Sequence, residues 1–367
     1  MKLLFLGLLF LLSCLFSLCF SQSYNAIFSF GDSISDTGNL CVNGNPSWLT
    51  TAQPPYGETF FSRPTGRCSD GRLVVDFLDT IAAEAFGLPL LPPSKASGKD
   101  FRQGANMAII GATTLDASFF QSIGLGDKIW NSGSLDQEVQ WFQQLLSSIC
   151  TSSQDCKDYL GKSLFVVGEF GGNDYNAPLF NGRSPDAVSA YVPTVVDSIS
   201  NAVEKLIGLG AVDVVVPGIL PIGCFPIYLT LFQSSSQGDY DQNGCLKKFN
   251  DLSSNHNSAL KQALSKLQSK YSSTRIMYAD FYSQYIHMLQ SPQSYGFSNP
   301  MKVCCGASGQ GSYNYNNNAR CGMQGSSACA DPSSYLSWDG IHMTEAAHRA
   351  VTNGWLRGPY CNPAILR

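Results

Sequence analysis

The sequence predicts an α/β fold, a three-layer α/β/α sandwich with a parallel sheet between two layers of helices. Three observations point there. Short apolar runs without helical period recur at 26–30, 104–113, 163–168, 212–217 and 275–279, as expected of strands buried on both faces. Stretches with apolar residues three and four apart separate most of these runs, and strands joined through helices of that length form right-handed parallel crossovers. Several runs also stop abruptly on Gly, Ser or Asp, residues that favour turns.

The first run, 26–30, ends in Gly31-Asp32-Ser33. Ser33 is thereby predicted in a strand-to-helix turn at the carboxyl end of a strand, the edge at which open α/β sheets bind ligands. Asp32 and Ser33 would equally serve as caps of a following helix. Residues 40–67 carry Cys41, Trp48, Pro54, Pro55, Tyr56, Phe60, Phe61 and Pro64 with neither period. Excursions of this length are usually functional, so these aromatics either wall a substrate pocket or pack on one another. Ser69-Asp70-Gly71-Arg72 opens an amphipathic helix through Leu73, Phe77, Leu78 and Ile81.

The second run closes on Gly111, at the same edge as Ser33. Residues 134–150 form a Ser-capped helix with Leu135, Val139, Phe142, Leu145, Leu146 and Ile149 on one face. The third run leads into Gly171-Gly172-Asn173-Asp174, where two glycines let the chain turn and aim Asn173 back over the sheet edge. A helix from about 185 to 207, a fourth strand, a loop at 221–224, a long helix at 245–271 and a short fifth strand follow. Residues 303–338 are rich in Cys, Gly, Asn and Ser and cannot bury a core of their own, so disulfides are expected to hold them. They deliver Asp339-Gly340-Ile341-His342 to the start of a last helix at 345–356.

Composition sets the compartment and excludes some partners. Residues 1–21 hold one Lys and an apolar block with small residues at Cys19 and Ser21, the pattern of a cleaved secretory signal. The block is barely long enough to span a bilayer and no basic stop-transfer cluster follows, so no membrane association is expected after cleavage. The remainder, 22–367, has no linker or repeat and reads as one domain. Of 13 cysteines, Cys14 and Cys19 fall in the signal. The odd remainder implies several disulfides and at least one unpaired thiol. A net charge of −4 without a basic run argues against nucleic acid or an anionic membrane as partner. No Asn-x-Ser/Thr site with a permissive middle residue occurs. Gly-x-Ser-x-Gly, Gly-x-Gly-x-x-Gly, His-Glu-x-x-His and paired Cys-x-x-Cys are all missing, and Gly161-Lys162-Ser163 lacks the first glycine of a phosphate loop, Cys156 standing in its place.

What remains is serine chemistry. Asp339 and His342 lie three apart across Gly340, a spacing that lets a carboxylate meet imidazole Nδ1 while Nε2 faces outward. Of the 4 histidines, His256, His287 and His348 fall in helical stretches without such an aspartate. The blocks Gly31-Asp32-Ser33-Ile34-Ser35-Asp36-Thr37-Gly38-Asn39, Gly111 after Asn106-Met107-Ala108-Ile109-Ile110, Gly171-Gly172-Asn173-Asp174 and Asp339-Gly340-Ile341-His342 together resemble the GDSL esterase/lipase family, the plant secreted branch of the SGNH hydrolases. They occur in the family's order and span the mature chain. Ile34 stands where the family name has Leu. Residues 35–41 and 167–176 are also similar to the alkaloid-deacetylating, acetylajmalan esterase-like group of that family.

The resemblance implies a flavodoxin-like sheet of five parallel strands. It implies Ser33 as nucleophile, His342 as base and Asp339 as its orienter, with Ser33 N–H, Gly111 N–H and the Asn173 amide as an oxyanion hole. It also implies no metal and no organic cofactor. The expected activity is hydrolysis of small plant metabolite esters, with acyl transfer to an alcohol or non-catalytic binding on the same fold as alternatives. A monomer in the extracellular space or vacuole is expected.

Overall fold

The computed structural model describes residues 24–42, 44, 49–80, 87–130 and 132–366. The leader at 1–21, Trp48 and Ile81 lie outside them. The five apolar runs form β1 (Ile27–Phe30), β2 (Gly104–Asn106), β3 (Leu164–Val167), β4 (Asp213–Pro217) and β5 (Arg275–Ala279). They pair in parallel in the order β2-β1-β3-β4-β5. This is the doubly wound order whose switch point lies between β1 and β3, where neighbouring connections leave in opposite directions and open a crevice. A sixth strand, Cys361–Asn362, lies antiparallel against β5. With two residues it has no period that sequence reading could detect.

Every residue of β1, β2, β3 and β4 is buried, which explains why their sequences do not alternate. The helix Leu135–Ile149 opens on a Ser134–Gln137 capping box and brings Phe142 onto the sheet, its ring centroid 4.9 Å from Phe28 and 5.6 Å from Phe165. This helix packs beside Val192–Leu209, which packs in turn on Lys247–Lys270. Glu345–Arg357 packs on both Val74–Thr80 and Phe281–Gln290. One buried apolar cluster reaches from Tyr24 to Ile365.

The expected second strand is shorter than its apolar run, because after Asn106 the chain follows β1 only through the bonds Met107 N to Ser29 O and Ile109 N to Gly31 O. The helix expected from 185 is interrupted. Pro185–Val188 and a 3-10 turn, Ser189–Tyr191, precede Val192–Leu209. Among the described residues four disulfides form, Cys150–Cys156, Cys224–Cys245, Cys304–Cys329 and Cys305–Cys321, while Cys41, Cys68 and Cys361 form none. The last two bridges staple the 303–338 segment around a small buried cluster of Tyr56 and Trp338. Among the described residues no helix is long and apolar enough to cross a membrane, and no group of His, Cys, Asp and Glu side chains is placed to hold a metal ion.

Candidate active site

Ser33 sits where β1 ends at the switch point. The helix expected directly after it is a single turn. Asp32 O accepts from Ser35 N and Asp36 N, Asp32 Oδ1 accepts from Ile34 N at 2.9 Å, and regular helix returns only at Asn39–Val42. The chain is diverted by Asp36, whose buried carboxyl accepts from the N–H groups of Gly38, Asn39 and Leu40 and, across the sheet edge, from Ile110 N at 2.9 Å. Asn39 reinforces this tie by donating Nδ2 to Ala108 O at 2.8 Å. The Asp36 side chain thus clamps the Ser33 turn to the turn bearing Gly111. Burial raises its carboxyl to about 6 against those donors.

Gly111 has φ +81°, a conformation that glycine adopts freely. A Cβ there would approach Trp130 Cε3 to 2.9 Å. Among the described residues neither Ser33 N–H nor Gly111 N–H donates to an acceptor within the protein. Asn173 lies in the first turn of the helix Gly172–Phe180 rather than in a turn before it. Its Nδ2 donates to Asp32 Oδ2 and to Ala112 O, each at 2.9 Å. Asp174 fixes that helix to the chain after Gly111 by accepting from Thr114 N at 2.8 Å and Leu115 N at 2.9 Å.

The 303–338 staples carry the other half of the site. Cys304 N donates to Ser337 O at 3.1 Å and Cys305 N to Trp338 O at 2.7 Å, so the disulfide-bridged residues hold the end of the short strand Tyr335–Ser337 and the residue after it, immediately before Asp339. Gly340 then turns with φ +104°, where any Cβ would run into the Tyr315 ring. Asp339 Oδ1 accepts from Ile341 N at 3.0 Å and His342 N at 2.9 Å. Its Oδ2 accepts from Tyr56 Oη at 2.9 Å and pairs with His342 Nδ1 at 2.7 Å. His342 Nε2 stands 2.8 Å from Ser33 Oγ.

The electrostatics follow from that wiring. Burial alone would raise the Asp339 carboxyl, but the facing His342 and the donated hydrogen bonds outweigh it and hold the group below its ordinary range. Burial alone would lower His342, and the Asp339 carboxylate overcomes it, placing the imidazole well above its usual value. The buried Cys68 thiol touches the same ring. His256 and His348 are driven down to about 3 by burial and His287 meets Tyr295, so His342 is the histidine that faces the serine.

A narrow cleft opens beside Ser33. Asp32, Glu169 and Asn173 form its polar side, and Leu220, Ile222, Phe225, Tyr228, Phe180 and Ile341 its apolar side. Among the described residues no aromatic of 40–67 lines it, which favours the second of the two readings offered for that excursion. Tyr56 supports Asp339 from behind, while Phe60 and Phe61 cover the Arg72 and Arg67 guanidiniums. The rings that do line the cleft are Phe225 and Tyr228, at the cap and inside the Pro226–Leu231 helix, and Phe180 at the end of Gly172–Phe180. Sequence reading took the chain at 221–224 as a loop and assigned the aromatics just beyond it no role. Glu169, also missed, follows directly on Gly168 at the end of the third run, the only signal that could have drawn attention to it.

Ser33, His342 and Asp339 therefore form one continuous hydrogen-bonded line, with Asn173 joined to it through Asp32. Such a line can move a proton from a serine hydroxyl to an imidazole held by a carboxylate. Residues 27–355 match the family described as GDSL-like Lipase/Acylhydrolase. A GDSL esterase/lipase of Arabidopsis thaliana is 45% identical over 347 residues, 93% of this chain and 92% of the relative. The sinapine esterase of Brassica napus is 45% identical over 352 residues, 94% of this chain and 88% of that one. A further Arabidopsis thaliana GDSL esterase/lipase is 43% identical over 349 residues, covering 94% and 87%.

Proposed function

Because the chain belongs to the GDSL-like lipase/acylhydrolase family and is a carboxylic ester hydrolase, we propose that it cleaves small plant metabolite esters, acetyl esters of alkaloids among them, through an acyl-enzyme on Ser33. The observation that carries this reading is the 2.8 Å contact of Ser33 Oγ with His342 Nε2, continued by the 2.7 Å contact of His342 Nδ1 with Asp339 Oδ2. The relative named for sinapine esterase supports a small plant ester as substrate.

Ser33 Oγ attacks the ester carbonyl while its proton passes to His342 Nε2. The imidazolium is stabilised by Asp339 and returns the proton to the leaving alkoxide as the C–O bond breaks. Water, deprotonated by the same nitrogen, then attacks the acyl-enzyme, and His342 returns that proton to Ser33 Oγ as the acyl C–Oγ bond breaks and the acid leaves. Ser33 N–H and Gly111 N–H, without internal acceptors, are suited to receive the oxyanion, with the Asn173 amide as third donor. No step calls for a metal or an organic cofactor.

The same reading takes 22–367 as one hydrolase domain, supported by the buried cluster from Tyr24 to Ile365, acting as a monomer. It also assigns a secretory route to the extracellular space or vacuole, which four disulfides support, since such bridges persist in oxidising compartments. Purified protein assayed on p-nitrophenyl esters of graded chain length and on acetylated alkaloids, with Ser33→Ala alongside, tests it. A serine-directed phosphonate should label Ser33 alone. Labelling elsewhere, or full activity in Ser33→Ala, overturns the assignment.

A further inference from the structure

The helix Leu135–Ile149 carries an acid inside its apolar stripe. Glu138 shares that face with Leu135, Val139 and Phe142 and is 0% exposed. Its Oε2 accepts from Gly31 N at 2.9 Å, two residues before Ser33. Its Oε1 has no hydrogen-bond partner among the described residues, and none of their lysines or arginines forms an ion pair with it. A helix that needs only an apolar face gains nothing from a carboxyl there, since a buried polar group costs free energy unless it is paired. None of the steps of ester cleavage uses it.

The bond to Gly31 stands where a rung of the sheet is missing. Beyond Asn106 the chain follows β1 through Met107 N to Ser29 O at 2.7 Å and Ile109 N to Gly31 O at 3.1 Å. In an evenly spaced parallel ladder Gly31 N would donate to Met107 O between those two bonds. It donates to the Glu138 side chain instead. Gly31 is confined on its other sides, because a Cβ there would stand 3.1 Å from Ser35 Cβ and 3.2 Å from Gly168 O. The helix that carries Glu138 is anchored at the other half of the site. Leu135 N donates to Thr113 O at 2.9 Å, two residues after Gly111. Glu138 therefore joins the Ser33 turn to the Gly111 turn through one rigid helix start.

We propose that Glu138 is a positioning residue for ester cleavage, its carboxyl standing in for a backbone carbonyl at the end of β1 and fixing the Ser33 N–H relative to the Gly111 N–H. This rests on the reading of Ser33 as nucleophile and of those two N–H groups as oxyanion donors. The carboxyl does this as a neutral acid. Burial, with Asp32 and Asp36 of the Ser33 turn nearby, holds it well above its ordinary range against the opposing Gly31 and Ile109 N–H groups. Lys95, whose ammonium lies 3.4 Å over the Trp141 ring, is a cation that feels it, while Asp136 on the same helix pairs with Lys205. Ionising Glu138 in alkali sets a further negative charge behind the turn that must receive the oxyanion, so turnover should fall in that step.

The test compares Glu138→Leu and Glu138→Gln with the parent, each rate expressed per Ser33 site titrated by a serine-directed phosphonate. Leucine leaves Gly31 N–H without an acceptor, and kcat should fall about tenfold or more while KM changes little. Glutamine keeps a carbonyl oxygen for Gly31 N–H and cannot ionise. It should restore kcat to within about threefold of the parent and shed the alkaline step that the parent shows. A side chain that serves stability alone would lower the melting temperature of Glu138→Leu and leave its kcat per site at the parent value, and that result overturns the proposal. If Glu138→Leu does not fold, parent and Glu138→Gln profiles that coincide in alkali overturn it equally. Full activity in Ser33→Ala would remove the nucleophile reading and this proposal with it, whereas parent kcat in Glu138→Leu beside an inactive Ser33→Ala removes this proposal alone.

Discussion

Tyr56 Oη donates to Asp339 Oδ2 at 2.9 Å although 283 residues separate the two in the chain. The carboxylate it supports receives four donors in all, two on each oxygen, and the facing His342 together with the donated hydrogen bonds keeps a buried acid ionised. The proline-rich excursion after Ser33 thus serves the far end of the Ser33–His342–Asp339 line. It enters beneath Trp338, whose ring meets Tyr56 edge-on at 5.9 Å.

Tyr56→Phe keeps that ring contact and removes only the hydroxyl. Asp339 then loses one of two donors on the oxygen that faces His342, and turnover should fall about tenfold, or ~1 to 2 kcal/mol for a hydrogen bond to a charged group. KM should change little, since Tyr56 lies behind the triad and not in the cleft. Steady-state kinetics beside a melting curve check this, and a Tyr56→Phe protein with parent turnover would make the bond a packing detail.

The pH profile should carry the Asp339–His342 pair. The base must be neutral to accept the Ser33 proton, and its folded value lies well above the ordinary one because of Asp339. The acidic limb of kcat/KM should therefore sit above the value of about 6.5 of a free imidazole. Asp339→Asn removes the anion that raises it, so burial prevails and the limb should move to lower pH. The maximal rate should fall by about four orders of magnitude through the wrong tautomer. The stability has the opposite sign to the activity. What a raised His342 contributes is fully present below its unfolded value and is lost as pH rises through its folded one. An acidic limb that stays put in Asp339→Asn would uncouple the two residues.

How far the sequence discloses this molecule depends on the range of the interactions involved. Ser33, Asp339 and His342 stand out because each sits in a local pattern, a strand end or an Asp-to-His spacing of three, that the structure keeps. The strand order does not, since nothing in β1 encodes that Phe28 will lie between Ala105 and Phe165. Tyr56 and Glu169 are missed for the same reason. Tyr56 owes its role to a partner 283 residues away, and Glu169 owes its place in the cleft to a wall that Phe180 and Tyr228 complete from distant parts of the chain. Asp36 is a third case. Its sequence neighbours account for three of its donors, but the fourth, Ile110 N, is what ties two halves of the site together.

Disulfide reduction should separate the site from the sheet. Cys304–Cys329 and Cys305–Cys321 hold residues whose backbone N–H groups bind Ser337 O and Trp338 O, immediately before Asp339. The parallel strands carry no disulfide and are held by their own buried core. Mild reductant should depress ester cleavage while far-ultraviolet circular dichroism stays near native. Loss of both at the same reductant concentration would show that the staples hold the sheet as well.

Asn173 is the sharpest test of the site, because its amide already has two acceptors, Asp32 Oδ2 and Ala112 O. If that clasp is its whole purpose, Asn173→Ala and Asn173→Gly should lower the melting temperature and leave turnover near that of the parent. If the amide also meets the oxyanion, both variants lose a donor whose bond strengthens as the carbonyl becomes tetrahedral. Turnover should then fall about 100- to 1000-fold, or ~3 to 4 kcal/mol, with ground-state binding little changed. Asp32 adds a second prediction. Burial raises its carboxyl to about 7, so Asn173→Asp would set two buried acids against each other, and they cannot both ionise. That variant should be at least as inactive as Asn173→Ala, since a carboxylate gives no donor and repels the oxyanion. It should regain some activity as pH falls far enough for the pair to hold a proton, down to the point where His342 itself is protonated. Kinetics of the three variants against pH, each checked for native melting, decide between the clasp and the oxyanion hole, and near-parent turnover in Asn173→Gly would leave only the two backbone donors in the hole.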